Sequence, residues 1–241
     1  MVMRIFATIL TLSPISGTVP IDGDYPRGVI FVARFHSVET ITVRGDAPKA
    51  IKAGRTTQEG SVRIWHGAPN GRYLVSHARG SYVEKTERER GRKTAVQKLV
   101  DSTSEFDRLG YPKSGQSDAG DLIPIFPGRR LGVGESWSPS ATITSKYGTG
   151  RARYVYRIAS VVRASNAHVL ATFSVEVRAV LRPTTVYSSW TPNLRGVGTL
   201  TWDCTEHQRR FSQTTLTYDL VNRGDRIRDV QTDRDTLQRI Q

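Results

Sequence analysis

Apolar and polar residues alternate along most of this chain with a period of two. Across residues 169–181 every odd position is apolar, through Val169, Ala171, Phe173, Val175, Val177, Ala179 and Leu181, while Thr172, Ser174, Glu176 and Arg178 hold even positions. Successive side chains of a β-strand point to opposite faces, so this run predicts a long strand with one dry face and one wet one. Residues 153–163 are also strand-like, and Ala164-Ser-Asn-Ala167 supplies turn residues, which makes the two runs a predicted hairpin. Residues 61–66 and 72–78 predict a second hairpin across Ala68-Pro-Asn-Gly71, because Asn-Gly accepts the positive φ of a tight turn. Further strands are expected in 28–35, 38–43, 198–203 and 212–221, with Asn222-Arg-Gly-Asp225 turning into a short last one. Helical spacing is scarce and is confined to residues 94–101 and the charged tail from Val230 onward.

A chain of 241 residues accommodates one large β domain or two smaller ones. The pattern divides it into an N-terminal segment (1–27), a first β half (28–110), a polar loop or linker (111–121), a second β half (122–232) and a charged tail (233–241). Phe106-Asp107 and Trp202-Asp203 fall at comparable places in the two halves. The expected fold is mainly β with minor helix. A long curved antiparallel sheet, half-barrel or sandwich-like, forms it either as one unit or as two similar halves.

Charge widens the range of partners. Lys and Arg number 35 against 22 Asp and Glu, a net charge of +13, which favours nucleic acid, polyanionic glycan or anionic lipid through long-range attraction. A polyanion binder gathers its charge on one face. Here Arg is spread along the chain from Arg27 to Arg239, and the densest cluster, at 84–93, interleaves both signs, which reads as a dispersed, solvated surface. The first twelve residues combine one early positive charge with a short apolar run and fit either a weak export signal or an N-terminal strand. No run reaches the roughly 18 apolar residues of a membrane-spanning helix. Cys204 stands alone, so neither an intramolecular disulfide nor a cysteine metal cluster can form.

Motifs for catalysis, metal or nucleotide binding fail on spacing. The stretch Gly128-Arg-Arg-Leu-Gly-Val-Gly-Glu-Ser-Trp137 looks like a phosphate loop, but Arg129 occupies the first glycine position and Glu135 the lysine position, where a carboxylate repels phosphate. His36, His66, His77, His168 and His207 are isolated, and only His66 and His77 flank a common hairpin. No Gly-x-Ser-x-Gly turn is present, and Cys204 with His207 has no third group to orient the base. Arg223-Gly-Asp225 reads as turn chemistry. Arg151-Ala-Arg-Tyr-Val-Tyr-Arg157 offers basic residues beside aromatics, as a single-strand nucleic-acid platform would. No catalytic residue, metal ligand or cofactor is assigned.

The segment Leu122-Ile-Pro-Ile-Phe-Pro-Gly-Arg-Arg-Leu-Gly-Val-Gly-Glu-Ser-Trp137, with Gly196-Val-Gly-Thr-Leu-Thr-Trp-Asp203 later, resembles a pattern of bacterial exported or lipoprotein-like β-proteins. In these a Pro-rich apolar segment precedes a Gly-acidic-Ser-Trp turn, and some are similar to half-barrel envelope carriers that hold an apolar ligand on a concave sheet. The chain departs from the pattern in having no cysteine after its apolar run. The resemblance implies a non-catalytic periplasmic or secreted protein that binds an apolar ligand or a protein partner. Phe173 and Val175 would then be ligand contacts on the sheet, or else ordinary core. The competing readings are a basic polyanion-binding or coat-like β protein, which leaves a cytoplasmic location open, and an enzyme whose site assembles from distant residues.

Overall fold

The computed structural model describes residues 13–15, 17–21, 25–48, 51–88, 91, 93–118, 124–164 and 167–240. The apolar run at 1–12 lies outside the described residues. Sixteen strands follow one another: β1 (Ser13–Pro14), β2 (Val19–Pro20), β3 (Ile30–Arg44), β4 (Gly54–His66), β5 (Tyr73–Arg88), β6 (Lys93–Asp107), β7 (Gln116–Asp118) and β8 (Arg130–Leu131), then β9 (Ser136–Trp137), β10 (Ser140–Ser145), β11 (Gly148–Arg163), β12 (Val169–Val180), β13 (Arg182–Pro183), β14 (Thr191–Asp203), β15 (Gln208–Asn222) and β16 (Asp225–Arg239). A single 3-10 turn at Thr185–Tyr187 is the helical content of the described residues.

Fourteen strands form one open sheet in the order β6-β5-β4-β3-β16-β15-β14-β12-β11-β10-β7, with β1, β9 and β13 also on β11. Its long neighbours are antiparallel, and β7 lies parallel to β10. The last strand, β16, enters between β3 and β15, so the sheet runs unbroken through both predicted halves.

Two local readings are corrected. Residues 94–101 form part of β6, because Thr94, Val96 and Val100 are β-branched and continue the β5 hairpin in register. The chain from Val230 is strand to Arg239, since β16 gains backbone partners on both sides and its charges alternate between two solvated or paired faces.

One face of the sheet is dry over β10 to β16, and a cover is laid across it. Trp137 stacks on Tyr156 with ring centroids 4.9 Å apart, meets Phe173 edge-on, and donates its indole N–H to the Ile125 carbonyl at 2.6 Å. Around the cover, Val19, Ile21, Ile125, Phe126 and Leu131 are buried. Burying this Trp with its polar atom satisfied lets the segment close the core without an orphaned donor. Tyr25 completes the cover at the other end, its ring 5.2 Å from Phe106 and 5.5 Å from Trp202. The two aromatic-Asp pairs therefore meet on one residue. Their aspartates also do one job: Asp107 accepts from the N–H groups of Leu109 and Tyr111, and Asp203 from those of Thr205 and Glu206, each fixing the turn after its strand.

Strands β3 to β6 extend beyond the cover as a wing. Gly60 and Gly80 let β4 and β5 approach closely within it: a Cβ on Gly60 would sit 2.4 Å from the Ser81 carbonyl oxygen, and one on Gly80 2.2 Å from that of Ser61. Only glycine fits where the backbones converge in this way.

Candidate functional site

The sheet sorts its arginines by strand parity. On the face opposite the cover lie Arg34 and Arg44 of β3, Arg55 and Arg63 of β4, Arg79 of β5, and Arg226, Arg228 and Arg234 of β16. Arg195 of β14, Arg178 of β12 and Arg151, Arg153 and Arg157 of β11 share that face. Arg209 and Arg239 sit on the inner side near strand ends, paired with Asp235 and Glu206.

At the centre of this outer face Arg153, Arg178 and Arg195 stand directly opposite one another on three adjacent strands, and all three are exposed. The same register row continues through Thr217, Val230 and Thr40 to Arg55, then Glu87 and Lys93. Directly opposed like charges are destabilising in a sheet. Carboxylates on this face are fewer and locally paired: Glu176 with Arg178 at 3.7 Å, Asp219 with Arg226 at 2.7 Å and Asp101 with Arg79 at 3.6 Å. No carboxylate lies within ion-pair distance of Arg153 or Arg195 among the described residues. At the wing, Arg55, Lys85 and Lys93 border a shallow hollow of about 450 Å³ that also includes Glu87. The face is therefore net positive, broad and solvated.

Aromatic side chains do not accompany the arginine row. Tyr154 and Tyr156, neighbours of Arg153 in sequence, point to the opposite face and are buried under the cover. The stacking platform that residues 151–157 offer in sequence is thus split between two faces, and beside the arginine row the outer face carries the exposed Val180 and Val197 instead of aromatic rings.

Two buried ionic clusters are structural. Asp229 accepts from the Tyr147 hydroxyl at 2.8 Å and from Lys146 at 2.9 Å, and Lys146 also reaches Glu39 at 2.5 Å. Burial pushes the Asp229 carboxyl above its ordinary range, and Lys146 offsets this only in part. At the far end of the sheet Asp203 accepts from His168 at 2.6 Å and from Arg210 at 2.9 Å, besides its two turn amides. Burial alone would raise its pKa, but those donors outweigh burial and hold it below the usual carboxylate range. His168, Asp203 and Glu206 are close enough to hold a cation. Arg210 already fills that position, bonding Asp203 and Glu206 at 2.9 and 2.6 Å.

The residues singled out from sequence are spread through the fold. Phe173 and Val175 are 0% and 3% exposed, so a ligand reaches them only by displacing Trp137 and its neighbours. His66 and His77 lie on opposite faces: His66 is buried against Tyr25, while His77 stacks on Trp65. Cys204 is buried in the turn after β14. Arg223 and Gly224 take positive φ in the β15–β16 turn, as turn chemistry requires. Glu135, which disqualifies the phosphate loop, accepts from the Gly132 amide at 2.6 Å and closes the turn into Trp137.

No protein-family model matches this chain, and no curated protein matches it. Among solved structures it has a slight likeness to an outer membrane channel from Pseudomonas putida F1, at 6% identity and a TM-score of 0.30, covering 90% of this chain and 98% of the channel. A likeness at that score says nothing about function.

Proposed function

We propose that the outer sheet face binds a polyanion and reads its charge rather than its bases. The observation that supports this most directly is the row Arg153, Arg178 and Arg195: three arginines opposed on adjacent strands, two of them without a carboxylate partner among the described residues. Such a row is unfavourable in the free protein and becomes favourable when phosphates or sulfates bridge the guanidinium groups. Without aromatic side chains beside them, these groups supply contacts to a charged backbone and no base stacking.

The likeness around Gly134-Glu-Ser-Trp137 continues to favour an exported protein of the envelope, and polyanion binding is compatible with that location. The apolar-ligand reading draws no support from Phe173 and Val175, whose burial under the cover makes them packing residues in this conformation. The test is binding of a short duplex DNA, as a polyanion of defined charge spacing, across a salt series. Absence of binding at about 50 mM salt, where such contacts are strong, would refute the proposal.

A further inference from the structure

The free edge of β6 is a second unused surface. Lys113 donates its amide to the Glu105 carbonyl and Asp107 donates to that of Tyr111, so odd-numbered residues of β6 direct their backbone groups away from β5. From Lys93 to Thr103 no described strand receives those groups. The opposite end of the sheet is instead broken up by the short strands β1, β7, β9 and β13, two of which contain proline. An open edge of this length is a template for another strand. Near its middle stands Leu99, the most exposed large apolar side chain among the described residues at 83%.

We infer that β6 pairs antiparallel with β6 of a second copy of this chain, with Leu99 opposite the second copy's Leu99. Faces are conserved across a two-fold pairing, so register changes only in steps that keep like parity together. In this register Gln97 meets Asp101, Ala95 meets Thr103, Val96 meets Ser102 and Lys98 meets Val100, with no like charges opposed. Lys93 is brought toward Glu105 at each end. One slip places Lys98 opposite Lys98, another places Leu99 opposite Asp101, and a further one sets Asp101 on Asp101. A slip that centres on Gln97 avoids these clashes and pairs as many free residues, but it sets Leu99 opposite Ala95, which buries less apolar surface than Leu99 on Leu99. The chosen register pairs residues 95–103 of each copy and stops short of the point where Lys113 folds back onto Glu105. The odd residues that form its hydrogen-bonded pairs are those whose backbone groups already face outward.

Sedimentation velocity of the full chain over a concentration series tests this. Wild type is expected to dimerise. Leu99→Lys removes the central apolar contact and opposes two cations; Gln97→Pro removes an outward N–H while leaving the β5 ladder intact. Each should raise the dimer Kd at least about tenfold, with circular dichroism confirming that the sheet is retained. Leu99→Cys should form a covalent dimer on mild oxidation, because hydrogen-bonded antiparallel pairs hold Cα atoms about 5.5 Å apart, within disulfide reach. Asp101→Cys, about 13 Å from its symmetry mate at strand rise, should not. Monomeric wild type at all concentrations, a dimer indifferent to both edge variants, or cross-linking through residue 101 instead of 99 would each overturn the inference.

Discussion

Neutralising the arginine row should weaken polyanion binding while leaving the fold as stable or slightly more so, and the opposite signs make the test sharp. Adjacent guanidinium groups at about 5 Å repel by roughly 0.8 kcal/mol each pair in water, before salt screening. Arg178→Gln relieves two such repulsions and gives up the exposed contact to Glu176 at 3.7 Å, which is worth little. Stability should therefore shift by no more than about 0.5 kcal/mol, in the stabilising direction. Binding should respond differently. Each phosphate neutralised contributes about 0.9 to the slope of log K against log salt for duplex DNA. Arg153→Gln/Arg178→Gln/Arg195→Gln should therefore flatten that slope by about 2.7. With the two lines converging near 1 M salt, the triple variant binds roughly 500-fold more weakly at 0.1 M, about 3.8 kcal/mol. Fluorescence anisotropy with a short labelled duplex measures the slope, and urea unfolding measures stability. Arg129→Gln, in the turn before Trp137, serves as a charge-matched control. An unchanged slope in the triple variant, or a loss no larger than that of three such controls, would refute the assignment of this face.

Three further outcomes follow from the packing. Lys146→Met leaves Asp229 buried without its cation and should cost about 2–3 kcal/mol near neutral pH, below the usual range for a broken buried pair because Lys146 is half exposed. The Asp229 pKa is raised in the folded state, so that loss should be absent below the unfolded value near 3.8 and grow as pH rises through the folded value, as chemical denaturation at several pH values would show. Asp203→Asn should act at the other sign: its folded pKa is depressed, so the stability it contributes is present above 3.8 and lost as pH falls through the folded value, and the variant should flatten that acid limb in thermal melts. Trp137→Ala removes the stacked cover over Tyr156 and Phe173 and should cost about 3–5 kcal/mol in urea unfolding.

The fold is legible in the sequence where burial enforces period two. Residues 169–181 alternate because β12 lies between β11 and β14 with one face under the cover, and every odd side chain from Ala171 to Leu181 is buried. The wing is less legible. In β6 hardly any side chain is buried until Phe106, so no apolar period marks it as a strand; its state is set by backbone pairing with β5, which residues 94–101 do not announce. Residues 233–239 mislead for a related reason. Asp233 and Asp235 occupy the inner face of β16, where Ser212 and Arg209 meet Asp235, so charges sit where a half-buried strand would ordinarily carry apolar residues. Tyr25 carries no local signal, because its role depends on Phe106 and Trp202, 81 and 177 residues further on.

The arginine face shows how a surface that looks scattered along a chain becomes ordered through pairing. Arg153, Arg178 and Arg195 are separated by 25 and 17 residues, and no short stretch of sequence contains them together. Strand parity fixes which face each occupies, but only the ladder fixes that they stand in one row, and register depends on the hairpin turns and on the bulge between Ile158 and Ser160 in β11. A bulge shifts register on one side of itself alone. Arg153 lies on the side shared with Val175 and Gly198, where the pairing runs without interruption through Arg178 to Arg195. A further bulge of the same kind between residues 153 and 158 would set Arg153 opposite Val177, on the inner face, and remove it from the row. Leaving the ladder regular keeps all three guanidinium groups on the outer face in one row, where an external anion can relieve their mutual repulsion.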